Sequence, residues 1–454
     1  MFLRFFDDGL AQASFLVACD RSREAAIVDP RRDIDIYVDA ARHHGLSIVY
    51  AIETHIHADF VSGARELGAH GARVVAGPGA YLAFDHHGAT HGERLELGDV
   101  TIEILHTPGH TPEHISLLVR EPGHPARALT GDTLFVGAVG RPDLLGADQA
   151  RGLAVQLYHS LVEILLALPD DVEVHPGHGA GSLCGSGIGS DPHSTIRQER
   201  LVNPMLQHRS EDAFVTAVLA DLPETPAYFR RMKRVNHEGP PLLNLTSAVQ
   251  PPPPMDVAAL SEAVRTGATL LDLRTSRAFG GAHISRAIHI PFGAKVGYWA
   301  GWVIDPESSI ILIVEGERQA ADTRRQLLRV GLDRVKGKAV ADVDAWRAAG
   351  LTVTSTTQLS ADELQARLAK GAPLTVVDVR TPQEWRAGHI DGTTHVPVGD
   401  LPARAAELPQ GEIAVICEGG LRSSLATSLL ERAGRQAANV ADGMSVYRTL
   451  EHTR

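Results

Sequence analysis

The chain has 454 residues, 44% of them hydrophobic, and 43 Lys and Arg against 55 Asp and Glu give a formal charge of −12. That length suggests about three domains of ordinary size, the apolar content argues against large-scale disorder, and the acidic balance argues against a nucleic-acid surface. No run approaches the ~18 consecutive apolar residues of a membrane span, and three cysteines far apart in sequence, Cys19, Cys184 and Cys417, make no disulfide framework and point to a reducing cytoplasm.

The opening stretch, "MFLRFFDDGLAQASFLVAC", carries Asp7 and Asp8 before a short apolar run and reads as a first strand rather than a leader. Up to about residue 240, short apolar strands alternate with turns and helices, as in "EAAIVDP", "IVYAIETH" and "VTIEILHTPGH". The strand ends carry His or Asp, which is how mixed α/β domains present a site. In order come His55, His57 and Asp59 in "ETHIHADFVSG", then His106, His110 and His114 in "LHTPGHTPEH", Asp132 in "LTGDTLF", and His175 and His178 in "VHPGHGAGS". A lone histidine is structural as often as it is a ligand. The whole series asks for a metal. Two imidazoles and one carboxylate on one face suit non-haem Fe(II) with open positions. Zinc accepts the same donors, so ligand type alone leaves both open. Phe60, directly after Asp59, has no lone pair to offer. In "VGRPDLLG", Arg141 and Asp143 form either an anchoring ion pair or a plain surface turn. Cys184 lies six residues after His178 among glycines, which suggests a loop over the metal pocket; a structural thiol is an equal alternative.

Residues 241–255 are rich in proline and read as a stiff, extended linker. Beyond it the chain repeats. "LLDLRTSRAFGGAHISRAIHIP" (270–291) aligns without gaps to "VVDVRTPQEWRAGHIDGTTHVP" (376–397), pairing Asp272 with Asp378, Arg274 with Arg380 and His283 with His389. Each copy continues with a buried strand and an amphipathic helix, the pattern of a doubly wound α/β domain. In the second copy Cys417 follows the strand, within the loop Cys417-Glu418-Gly419-Gly420-Leu421-Arg422, and Ser423 comes next. Backbone N–H groups at a helix N-terminus and the Arg422 charge favour an anion there. In the first copy Glu315 follows the strand "IILIV", and a carboxylate cannot carry sulfane sulfur. The expected domains are therefore 1–240, with the metal series; the linker 241–255; an inactive repeat, 256–352; and an active one, 353–454.

The metal series resembles the metallo-β-lactamase fold over residues 1 to about 240. In its two-metal hydrolases, such as glyoxalase II, the pattern implies His55, His57 and His110 at one metal. Asp59, residue 60 and His178 would take the other, with Asp132 bridging. Phe60 removes a ligand and disfavours the two-metal clamp. Persulfide dioxygenases of this fold use two His and one Asp. That resemblance implies one Fe(II) per chain on His55, His110 and Asp132, with His57, Asp59 and His178 orienting the ligands, and it implies that Arg141 and Asp143 belong to the loop after the Asp ligand. "DVRTPQEWRAGHIDG" and the Cys417–Arg422 loop resemble the rhodanese family. This implies that Cys417 carries a persulfide sulfur in a loop formed by Glu418, Gly419, Gly420, Leu421, Arg422 and Ser423.

The fold expected is thus a multidomain α+β and α/β chain: a metallo-β-lactamase αββα sandwich followed by two rhodanese-like α/β domains. The three-part order resembles fused persulfide dioxygenase–sulfurtransferases, in which a cysteine placed like Cys184 handles persulfide. The function implied is oxidation of a small thiol persulfide, glutathione persulfide first, by O₂ to sulfite and thiol. Sulfur transfer at Cys417 would form or use thiosulfate, in a homodimer or homotetramer. Two alternatives stand beside it: a zinc-dependent thioester hydrolase resembling glyoxalase II, and a non-enzymatic sulfur carrier or sensor.

Overall fold

The computed structural model describes all residues except 221, 223, 245–248 and 452–454, and the side chain of residue 451. The chain divides into two compact units. The first holds 1–249 and 328–331, and the second holds 250–327 and 332–454. Among the described residues no helix is long and apolar enough to cross a membrane.

The first unit is built on two six-stranded sheets. One runs in the order Phe2–Asp7, Gln12–Ala18, Glu24–Val28, Ser47–Ile52, Arg73–Ala76, His87–Gly88. The other runs Ser194–Thr195, Glu173–Pro176, Arg127–Gly131, Ile115–Arg120, Val100–His106, Arg94–Leu97. Side chains alternate faces along a strand. Along Gln12–Ala18, accordingly, Ala13, Phe15 and Val17 meet Ile102, Ile104 and Leu117 of the other sheet. Leu16 and Ala18 turn the opposite way, joining Tyr37 and Ala41 of the helix Asp35–His43. The outer face of the second sheet is covered by the helices Ala147–His159 and Glu211–Ala220, through Leu157, Phe214 and Val215. Helix, sheet, sheet, helix is the expected αββα order. The central strands of each sheet are buried on both faces, so functional side chains are left to the loops at the strand ends.

The proline-rich stretch is tied at both ends. Arg65 donates to the carbonyls of Gly239 and Pro240 at 2.9 and 2.8 Å, and Leu243 N–H donates to Glu66. At its far end Lys338 N–H donates to Pro253 O, and Met255 N–H to Lys338 O. Part of the expected linker, 245–248, lies outside the described residues.

The second unit contains two parallel sheets. One has the order Ile288–His289, Thr269–Asp272, Ile310–Val314, Val335–Val340. The other has the order Gln358–Leu359, Ala437–Val440, Glu412–Ile416, Leu374–Asp378, Thr394–His395. The duplication reaches individual hydrogen bonds. Arg274 grips Asp272 at 2.7 Å and Ala282 O at 2.8 Å; Arg380 grips Asp378 at 2.7 Å and Gly388 O at 2.8 Å. His283 stacks on Phe279 as His389 stacks on Trp385.

Register corrects one expectation. Asp272 faces Ile313, and Asp378 faces Ile416. The residue equivalent to Cys417 is therefore Val314, and Glu315 matches Glu418. The first copy still lacks a thiol, but the replacement is apolar and ends the strand itself.

Candidate metal centre and sulfur loop

His55, His57 and Asp59 follow the strand Ser47–Ile52, and His110 lies in the turn between Val100–His106 and Ile115–Arg120. Asp132 follows Arg127–Gly131, and His178 follows Glu173–Pro176. Gly109 lets the His110 turn press on a helix. Its φ is +143°, and a Cβ there would lie 2.4 Å from Leu157 Cα.

His55, His110 and Asp132 converge, all buried, with ligand atoms within 4.8 Å of one another. Asp132 Oδ2 is 3.7 Å from His55 Nε2 and 3.4 Å from His110 Nε2. Each of these three atoms is buried without a hydrogen-bond partner. Three orphaned polar atoms facing one another would be costly unless something bound them. Ligands about 2.1 Å from a metal stand roughly 3.0 to 3.4 Å apart, so a small shift closes the set on an ion. The residues present fit a single metal.

Their neighbours fix the ligand atoms. Thr54 Oγ1 donates to Asp29 Oδ2 at 2.9 Å and so accepts from His55 Nδ1–H at 2.9 Å, leaving the Nε2 lone pair free. His110 Nδ1–H donates to Arg141 O at 2.8 Å with the same result. Burial keeps both rings neutral by lowering their pKa. His178 holds Asp132 Oδ1 at 2.7 Å and Asp59 Oδ2 at 2.8 Å. Burial opposes its charge, but Asp132 and Asp59 hold its pKa well above the ordinary range. Burial raises and His178 lowers the pKa of Asp132, and the net effect is well below the usual carboxylate range. Asp132 N–H donates to His114 Nε2 at 3.0 Å.

His57 Nε2 stands 3.2 Å from both Asp29 and Glu53. Burial works against its charge, yet these carboxylates push its pKa up to about 10. Phe60 is fully buried, its ring centroid 4.3 Å from that of His57. Arg141 is buried and forks onto Asp143 at 2.7 and 2.8 Å, while also reaching Leu183 O and Thr225. Cys184 is fully buried beside Phe135 and Ala138, within ligand distance of Asp59 and His178. Burial pushes its pKa up to about 12, so it is held as a thiol.

Several contributors escaped the sequence reading. Asp29 closes the strand Glu24–Val28 with a left-handed φ of 50°, and Thr54 N–H donates to it at 2.7 Å. Asn236, on the helix Phe229–Glu238, donates to His57 O and Phe60 O and accepts from Ser62 N–H. Asp29 shared the strand-end pattern of the metal series, whereas nothing local marked Asn236.

In the second unit, Cys417 is almost wholly buried, between the strand Glu412–Ile416 and the helix Leu421–Arg432. Gly420 N–H donates to its sulfur at 3.1 Å, and Ser423 Oγ lies 3.3 Å away. Gly420 has φ +83°, and a Cβ there would stand 1.9 Å from Ala441 O. Arg422, expected to add a fixed charge beside the sulfur, forks onto Glu384 at 2.6 and 2.6 Å. Glu384 also closes a capping box with Thr381. Burial raises and Arg422 more strongly lowers its pKa, to about 2.

A family described as the rhodanese-like domain matches residues 360–449. The chain is 30% identical over 206 residues to the mitochondrial persulfide dioxygenase ETHE1 of Homo sapiens, covering 44% of this chain and 73% of that protein. It is also 30% identical over 206 residues to the probable hydroxyacylglutathione hydrolase glo2 of Schizosaccharomyces pombe, covering 45% and 77%. Among solved structures it is similar to a metallo-β-lactamase from Staphylococcus aureus, with 32% identity and a TM-score of 0.66, over 75% of this chain and 99% of that one.

Proposed function

The chain belongs to the persulfide dioxygenase family of the metallo-β-lactamase fold, extended by a rhodanese-like domain, and on that premise we propose that it oxidises a small thiol persulfide with O₂ and transfers sulfane sulfur through Cys417. The reaction balances as R–S–SH + O₂ + H₂O giving R–SH and sulfurous acid, which ionises to sulfite. Glutathione persulfide is the substrate proposed first. The observation that carries this reading is the trio of unpartnered buried atoms on His55, His110 and Asp132.

His55, His110 and Asp132 would hold one Fe(II), which would supply coordination positions for the persulfide sulfur and O₂. The protein's own part is positional. Thr54 and the Arg141 carbonyl select the tautomers of His55 and His110. His178 and His114 aim Asp132 so that Oδ2 faces the two imidazoles. Phe60 removes the ligand that a second ion would need and fills its place with an apolar ring. Arg141 and Asp143 brace the His110 side of the site, and Arg141 N–H donates to Cys184 O at 2.9 Å. Cys184 is proposed as a second sulfur handler next to His178, although it must first give up its proton.

At Cys417 the thiolate accepts sulfane sulfur, with Gly420 N–H and Ser423 Oγ placed to support charge on it. Passing that sulfur to sulfite forms thiosulfate, and the reverse consumes it. Three free cysteines accord with a cytoplasmic setting.

A second reading has its own support in the similarity to the hydroxyacylglutathione hydrolase, and takes the site as a zinc-dependent thioesterase. Oxygen uptake by iron-loaded protein given glutathione persulfide, with sulfite and thiosulfate quantified, separates the two. One O₂ consumed per persulfide supports the dioxygenase. Turnover of S-lactoylglutathione without air and no oxygen uptake would install the hydrolase instead.

A further inference from the structure

Three guanidinium groups meet at the Cys417 loop, and each already has a carboxylate. Arg422 forks onto Glu384. Arg380 is buried, holds Asp378 through Nε and Nη2, and extends Nη1 to Glu418 Oε2 at 3.4 Å. Arg448, on the helix Gly443–Glu451, pairs with the other oxygen of Glu418. Three cations thus face Asp378, Glu384 and Glu418, and no net positive charge remains among them. Glu418 is the second residue of the loop, and Ser445 N–H anchors its carbonyl at 3.0 Å. At the start of the adjoining helix the rim is apolar, because Leu421 is 61% exposed.

A donor must pass this rim to reach Cys417. Thiosulfate carries two negative charges, whereas a thiol persulfide carries at most one on its sulfur pair. Binding a small dianion calls for uncommitted cationic donors, and here Glu418 occupies two of the three cations. We propose that Glu418 is a specificity-determining residue that sets Cys417 to accept sulfur from thiol persulfides in preference to thiosulfate. This rests on the sulfurtransferase reading of Cys417. In the favoured step the Cys417 thiolate attacks the terminal sulfur of R–S–SH. The new S–S bond forms as the R–S to S bond breaks. R–S⁻ leaves with the electron pair and takes a proton from solvent, and Cys417 is left as the persulfide. No external oxidant is consumed.

The test measures sulfur transfer to cyanide by the full chain, with glutathione persulfide and with thiosulfate as donors. Wild type gives the higher kcat/KM with the persulfide. Glu418→Gln, which frees Arg448 and the Nη1 of Arg380 while Asp378 keeps the rest of that guanidinium, raises the thiosulfate-to-persulfide ratio by about tenfold. A ratio within twofold of wild type overturns the proposal. A second readout needs no variant: thiosulfate turnover by wild type holds or rises with ionic strength, because no net positive rim is there to be screened. A steep fall with salt would show cationic steering and also overturn it. Cys417→Ser abolishes transfer from both donors. Retention of both would sink the sulfurtransferase reading itself, independently of Glu418.

Discussion

Position 60 lies between Asp59, which accepts from His178, and the turn that Asn236 ties down through Phe60 O. The ring there lies tilted against that of His57, 4.3 Å between centroids, and is fully buried. An imidazole in its place would restore the ligand that the two-metal pattern requires. Phe60→His is therefore expected to raise the metal content, after reconstitution with excess zinc, from one to two ions per chain by elemental analysis. His178→Asn removes the group that aims Asp132 while leaving the three ligands in place. Fe(II) affinity, measured by competition with a chromophoric chelator, is expected to fall about 10- to 100-fold. Unchanged affinity would mean that His178 does not position Asp132. The histidines and Asp132 were legible because they recur as an ordered series of short motifs at successive strand ends. Asp29 and Asn236 were not, since one acts through a left-handed turn and the other reaches backbone atoms more than 170 residues away.

The duplicated α/β elements were legible from their identical polar positions, and the structure repeats the pairing of Asp272 with Arg274 in that of Asp378 with Arg380. The strand Ile310–Val314 was legible too, but its match to the second copy was not. Two apolar runs do not say which of their residues are equivalent, and the ladder register aligns Val314 with Cys417. The short helix Pro382–Arg386 supplies Glu384, which serves both its own cap and Arg422. Its folded pKa of about 2 lies below the ordinary value of ~4.3. The stabilisation is present above pH ~4.3 and is lost as pH falls through about 2. Urea midpoints of wild type and Glu384→Gln should differ at pH 6 and draw together toward pH 2. A difference that does not change with pH would show that the carboxylate charge is not what stabilises the pair.

On the scale of the whole chain, two compact units each carry one candidate centre. The mixed α/β character of the first unit followed from alternating strands whose ends bear His and Asp, and its αββα order from the resemblance of the metal series to the metallo-β-lactamase fold. The tied ends of the proline-rich stretch did not, because proline content marks extension but not what the extended chain binds. If the centres act separately, Cys417→Ser keeps oxygen-dependent persulfide oxidation and loses sulfur exchange. Complete loss of oxygen uptake in that variant would show that sulfur must pass through Cys417 before oxidation.

The count of metal ions bears most directly on the whole account. The chain, stripped of metal and reconstituted with Fe(II) without air, should bind one ion, and His110→Ala should bind almost none. Two ions per wild-type chain would contradict the account, because Phe60 would then not have closed the second position.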